Sequence, residues 1–202
     1  MPRSTCALIL MLAASPLAHA AAASDTGPAP QLTSLAKAFT GRWSISEQFE
    51  PMKDTPDSVS TPSAGTGHGE EIYRSGPGGF TFMEEEHNVT PQGEVYIVGY
   101  MWWDGTKRRL AGMECNSLWP QGCDLQAALS LVSLSWDGKT FVVDFRNPKD
   151  PGKLAWHEVF SDITPTSFLQ VGYVGQPDGS LKKWVTIHAS RMADTEAAAA
   201  AH

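Results

Sequence analysis

Cysteine, clustered positive charge and ready-made catalytic motifs are all scarce in this chain of 202 residues. Only three cysteines occur, and one of them, Cys6, lies in the first twenty residues. Cys115 and Cys123 have seven residues between them. That is not a C-x-x-C redox spacing, and no further cysteine or paired histidine completes a zinc set. The histidines show no H-x-H, H-E-x-x-H or H-x₃₋₅-H spacing, so no metal site is expected and no cofactor is implied. There is no G-x-S-x-G for a serine nucleophile. The glycine-rich stretch 76–79 lacks the lysine and helix of a phosphate loop and reads as a turn. Lysine and arginine number 15 against 22 acids and form no cluster. This argues against nucleic acid or an anionic membrane surface as partner.

What is present begins with an export pattern. Arg3, an apolar core from Ala7 to Ala14 and the small-x-small site Ala18-His19-Ala20 have the layout of a secretory signal peptide over residues 1–20. The apolar run is too short for a membrane anchor, so no membrane insertion is expected after its removal. Cys6 precedes that core, unlike a lipoprotein cysteine. Losing residues 1–20 removes Arg3 and no acid, taking the formal charge from −7 to −8. A periplasmic or secreted protein is expected, with a flexible lead-in over 21–30, one domain over 31–192 and a fraying low-complexity tail over 193–202.

Leu32, Leu35, Ala36 and Phe39 recur at helical spacing and predict one short amphipathic helix, ended by Thr40-Gly41. Strands are predicted at 42–50, 66–74, 79–88, 94–103, 107–116, 127–136, 140–146, 153–162, 166–174 and 181–191. Asp104-Gly105, Asp137-Gly138 and Asp178-Gly179 separate apolar alternations, the pattern of type I′ hairpins. About ten strands in sequential antiparallel order, with one long loop over 51–65, predict an all-β up-and-down barrel, since closure removes exposed edges. A two-sheet sandwich is the competing architecture.

Gly41-Arg42-Trp43, opening the first strand just after a helix, resembles the calycin/lipocalin-like superfamily. In that superfamily the tryptophan packs against a basic residue near the end of the last strand, and Arg191 stands in that place. The order LAKAFTGRW, SGPGGF, GYMWWDG, DITPTSF and QPDGSLKKW…SR is similar to the bacterial family known as domain of unknown function 1579. That resemblance implies a calycin-like barrel and no particular activity. The strand count departs from the lipocalin pattern, so no lipocalin ligand is carried over.

Strand alternation turns the Trp43–Arg191 pairing into a phase. With Trp43 inward, Ile45, Glu47 and Phe49 are inward too. With Arg191 inward, Ala189, Ile187 and Val185 follow, and Trp184, Thr186 and His188 face outward unless a bulge intervenes. An outward His188 speaks against a haem ligand of the kind nitrobindin-like barrels use. In the run 84-EEEHNV-89 either phase sends a carboxylate inward, so Glu84 and Glu86, with Glu47, are candidates for proton-transfer catalysis. The plainer reading of that run is a solvated rim near the Pro91-Gln92-Gly93 turn. Trp103, with Val95, Ile97 and Met101, is a candidate ligand-binding face, joined by Trp43, Phe49 and Arg191. The alternate face is Tyr96, Val98, Tyr100 and Trp102. Two apolar faces also allow a homodimer.

In an oxidising compartment Cys115 and Cys123 are expected to form a structural disulfide, with Pro120 and Gly122 permitting the tight return. The sequence thus points to a periplasmic or secreted barrel binding a small, partly apolar molecule. An enzyme using interior carboxylates and an envelope interaction module are the alternatives.

Overall fold

In the computed structural model, residues 27–52, 64–118 and 123–193 are described. The expected signal peptide, most of the 51–65 loop, Pro120, Gly122 and nearly all of the tail lie outside these residues. Helix α1 (Pro30–Phe39) is followed by β1 (Gly41–Phe49), β2 (Gly65–Ser75), β3 (Thr81–Thr90), β4 (Gly93–Asp104) and β5 (Arg109–Asn116). A short helix α2 (Leu125–Leu131) leads into β6 (Val132–Trp136), β7 (Phe141–Asn147), β8 (Asp150–Ser161), β9 (Ser167–Gly175) and β10 (Leu181–Arg191).

All ten strands belong to one antiparallel sheet in the order β5-β4-β3-β2-β1-β10-β9-β8-β7-β6. Pairing β1 with β10 rolls the meander up, and the end strands β5 and β6 come together without a hydrogen-bonded ladder. Gly112 allows their close approach, since a Cβ there would lie 2.7 Å from Leu134 Cδ1. The result is a nearly closed ten-stranded barrel, as the sequential pattern predicts.

Two local expectations need correction. Residues 125–131 are helical, although 127–136 reads as one strand. Asp124 Oδ1 accepts the N–H of Gln126 at 2.9 Å, an N-cap in front of helix-favouring Leu-Gln-Ala-Ala. The Asp-Gly pairs do turn the chain, yet not as two-residue type I′ links. Gly138 and Gly179 have positive φ (93° and 88°), whereas their aspartates do not. Asp137 Oδ1 instead accepts the N–H groups of Lys139 and Thr140 at 2.8 and 2.7 Å, and Asp104 does the same for Thr106 and Lys107. These Asx-type caps hold loops of four residues between the strands.

The barrel interior is layered because inward residues alternate along each strand. The end nearest α1 is aromatic. Phe39 of the helix packs edge-on against Phe141, Phe160 and Phe168, and also touches Tyr73 and Trp136. Leu32 and Leu35 are buried with it, so α1 plugs this end with its apolar face. Trp43 locks the plug, its Nε1 donating to the Phe39 carbonyl at 2.7 Å. Arg191 lies over the Trp43 ring at 4.1 Å and donates to the carbonyls of Ala38, Thr40 and Pro165. One bridge is covalent: Cys115 and Cys123 form a disulfide, with Cα atoms 4.5 Å apart, joining the end of β5 to the approach to α2. Among the described residues no helix is long and apolar enough to cross a membrane.

Candidate functional site

Above the aromatic layer the interior changes character. Register places Glu71 of β2 opposite both Trp43 and Glu86, so it shares their inward face. Glu84 pairs with Gly99, Gly99 with Glu114, and Glu158 with Gly172. Six glutamates (47, 71, 84, 86, 114 and 158) therefore point into one barrel, several facing glycines across the ladder. The glycines supply the necessary room. A Cβ at Gly67 would collide with Glu47 Oε2, and one at Gly99 would sit 2.8 Å from Glu84 Oε2.

Beyond this acidic girdle, at the end away from α1, lies a cavity of about 150 Å³. Its apolar wall includes Phe49, Val95, Ile97, Phe145, Trp156 and Trp184, and its polar wall Glu47, Glu86, Asn88, Glu114, Glu158 and Gln170. Trp184 meets Phe49 and Trp156 at ring separations of 5.1 and 4.8 Å. Asn88 Nδ2 donates to Glu47 Oε1 at 3.2 Å and to Glu86 Oε1. The Trp156 indole N–H donates to Glu158. A second void of about 20 Å³ lies among Glu84, Glu114 and Glu158, room for a water molecule.

Burial governs the protonation of this set, because a low-dielectric interior disfavours the charged form. It pushes Glu47 up to about 7 against the opposing hydrogen bond from Asn88. Glu84 is likewise raised to about 7 by burial, against the pull of Tyr73, whose hydroxyl donates to it at 2.9 Å. Glu158 reaches about 7 by burial, with Trp156 opposing and Glu84 reinforcing. Glu71, Glu86 and Glu114 stand well above the ordinary carboxylate range, through burial first and then the neighbouring glutamates. Near pH 7, Glu47, Glu84 and Glu158 are therefore partly protonated, able to give or take protons.

Of the residues singled out by sequence, Glu47, Glu86 and Phe49 line the cavity, and Glu84 lines the small void beneath it. The rim reading of 84–86 is overturned, since only Glu85 faces outward, paired with Arg74. Trp43 and Arg191 sit at the plugged end and Trp103 packs on the core, so none of the three lines the cavity. Val95 and Ile97 do line it, while Tyr96 and Tyr100 are exposed on the outer face. His188 is exposed, as the phase requires. Trp184 breaks the phase because a register shift between Lys183 and Val185 turns it inward. Glu71, Glu114, Glu158, Asn88, Trp156 and Trp184 were not legible as site residues. Their grouping depends on which strands face each other.

These features define a class of fold: a nearly closed antiparallel barrel, plugged by a helix near the N-terminus at one end and hollow towards the other. No family model and no curated protein sequence matches the chain. Among solved structures, it is similar to the crystal structure of Rv2717c from M. tuberculosis, at 10% identity and a TM-score of 0.49 over 82% of this chain and 99% of that one. It is also similar to an S-type phycobiliprotein lyase, CPES, from Guillardia theta (9% identity, TM-score 0.48, 81% and 93% coverage). A redesigned β-barrel, mFAP0, solved with DFHBI bound, matches at 12% identity and a TM-score of 0.37, covering 76% of this chain and 99% of that one.

Proposed function

We propose that this protein is a periplasmic or secreted barrel that binds a small, partly apolar molecule in the cavity beyond the acidic girdle. The observation that carries this reading is the cavity's wall, in which aromatic and aliphatic side chains surround a few convergent polar groups. Export is supported by the pattern of residues 1–20 and by the Cys115–Cys123 disulfide, which suits an oxidising compartment. The likeness to domain of unknown function 1579 belongs to the same reading and adds no activity to it. Native mass spectrometry of protein purified from its own host tests the proposal. A bound small molecule, released on denaturation and displaced when Trp184 or Phe145 is replaced by Ala, is the expected result. Protein that carries no ligand from its host and binds none from an extract of that host contradicts it.

A second reading has its own observation. Glu47 lines the cavity and is held near pKa 7, as a general acid or base at neutral pH needs to be. On this reading the bound molecule would exchange a proton with Glu47. Incubation in deuterated water followed by mass analysis of the released ligand separates binding from turnover.

A further inference from the structure

Among the described residues the cavity wall carries acid and no base. Glu47, Glu86, Glu114 and Glu158 face it from β1, β3, β5 and β8, and none of the described lining side chains is lysine, arginine or histidine. Glu71 and Glu84 stand behind them. Tyr73, turned inward from β2, donates its hydroxyl proton to Glu84. The inward residues of β4, β6, β7, β9 and β10 that line the two cavities add no charge.

Several of these polar atoms have no partner within the protein. Glu71 is 0% exposed, yet neither of its carboxyl oxygens is hydrogen-bonded. Glu47, 5% exposed and lining the cavity, uses only Oε1, and Oε2 is left alone. Buried polar groups in folded proteins are overwhelmingly paired, so the carboxyl of Glu47 in the cavity wall and that of Glu71 behind it hold acceptor capacity that the protein itself does not use. Gly67 opposite gives the Glu47 carboxyl its room, since a side chain there would occupy the same space.

The donor's chemistry follows from the rest of the wall. Among the described residues, no three histidines, cysteines, aspartates or glutamates are placed to hold a metal ion. The carboxyls instead share the cavity with the rings of Phe49, Trp156 and Trp184, whose faces attract cations and cover apolar surface. The volume of about 150 Å³ is comparable to that of an engineered cavity known to admit benzene.

From this arrangement we infer that the cavity selects a small organic cation, an ammonium group on an apolar body. The ammonium lies among Glu47, Glu86 and Glu158, and the body lies against Trp156, Trp184 and Phe49. The inference rests on the cavity-binding reading above and gives it a ligand class. No covalent bond of the ligand changes. The ammonium keeps its protons, one carboxylic acid of the girdle releases its proton to solvent, and an ammonium–carboxylate pair forms. Binding is therefore linked to proton release and tightens as pH rises from 5 to 8.

Three probes of similar shape test this on the mature protein by calorimetry: 2-phenylethylamine, 2-phenylethanol and 3-phenylpropanoate. The amine should bind at least tenfold tighter than the alcohol at pH 7.5, and the carboxylate should bind more weakly than either. Repeating the amine titration in buffers of different ionisation enthalpy should show net proton release. Replacing Glu47 and Glu86 with Gln should bring the amine-to-alcohol ratio towards one. Folding of that variant is checked by circular dichroism; the wild-type selectivity and proton release stand without it. Equal binding of amine and alcohol with no proton release overturns the cation inference and leaves the cavity reading standing. No binding of any of the three at millimolar concentration, in a protein that also carries no ligand from its host, overturns both. Tight calcium or zinc binding that displaces the amine would assign the girdle to a metal ion and also overturn the organic-cation assignment.

Discussion

Gly67 faces Glu47 across the β1–β2 ladder so closely that no side chain at position 67 could coexist with the present carboxyl position. Phe49 Cε2 and the Val89 carbonyl oxygen, each 3.0 Å from the same hypothetical Cβ, block the other escape. Gly67→Ala should therefore act as an overpacking substitution and destabilise by about 1–3 kcal/mol. It should also lose ligand affinity, because Glu47 must move. Urea unfolding and binding to the same protein sample check both effects. An unchanged unfolding midpoint would show that Glu47 has another place to go.

The girdle gives stability a pH dependence of definite sign. Glu47, Glu84 and Glu158 ionise near pH 7 in the barrel and near 4.5 as free side chains. Between those values the unfolded chain has lost protons that the folded barrel keeps, so stability falls as pH rises from about 4.5 to 7. Glu71, Glu86 and Glu114, raised by burial, add to the same fall. Each unit of raised pKa corresponds to about 1.4 kcal/mol. At the acid end the sign reverses. Asp104, Asp137 and Asp178 are lowered, chiefly by hydrogen bonds from their turns, and their support is lost as pH drops below 3.8. Urea midpoints from pH 3 to 8 should peak between pH 4 and 5. Replacing Glu47 and Glu84 with Gln should flatten the descending limb.

Arg191 joins three parts of the plugged end: the Trp43 ring, the last turn of α1 and the carbonyl of Pro165. Arg191→Ala should destabilise by roughly 1–3 kcal/mol, through lost charge-assisted hydrogen bonds and the cation–π contact. Affinity for cavity ligands should stay within about twofold, since Arg191 is not in the cavity wall. Thermal unfolding and calorimetry distinguish the two effects. A large loss of affinity in a folded Arg191→Ala protein would place the binding site at the wrong end of the barrel.

How much of this was legible in the sequence divides by range. The Gly-x-Trp opening, the Asp-Gly punctuation and the apolar alternation are local signals, and they suffice for a sequential barrel and for the phase of β1. The same alternation makes α2 look like a strand, because Leu125, Ala127, Leu129 and Leu131 alternate while Leu125, Ala128, Leu129 and Val132 recur at helical spacing; only Asp124 in the cap position separates the two readings. Trp184 turns inward through one register shift that its own strand does not announce. The girdle needed long-range pairing. Glu84 and Glu86 stand out inside an acidic run, whereas Glu71, Glu114 and Glu158 look like ordinary surface acids until Trp43, Gly99 and Gly172 respectively are placed opposite them.

The disulfide closes a short segment, with a sequence separation of 8. On the chain-entropy model, removing it by Cys115→Ser and Cys123→Ser should cost roughly 2–3 kcal/mol. Asn116 and Leu118, just beyond Cys115, line the cavity, so affinity should weaken in the same variant. Equal stability of the oxidised and reduced wild-type protein would show that the bridge adds nothing to the fold.

The central claim is that the hollow end of the barrel is the binding site, and the indole N–H resonances of the tryptophans report on it directly. Titration with 2-phenylethylamine, followed by two-dimensional NMR at pH 7.5, should shift the Trp156 and Trp184 signals in a saturable way. The Trp43 signal, from an indole bonded to Phe39 at the plugged end, should stay in place. Saturable shifts at Trp43 with none at Trp156 or Trp184 would contradict the account.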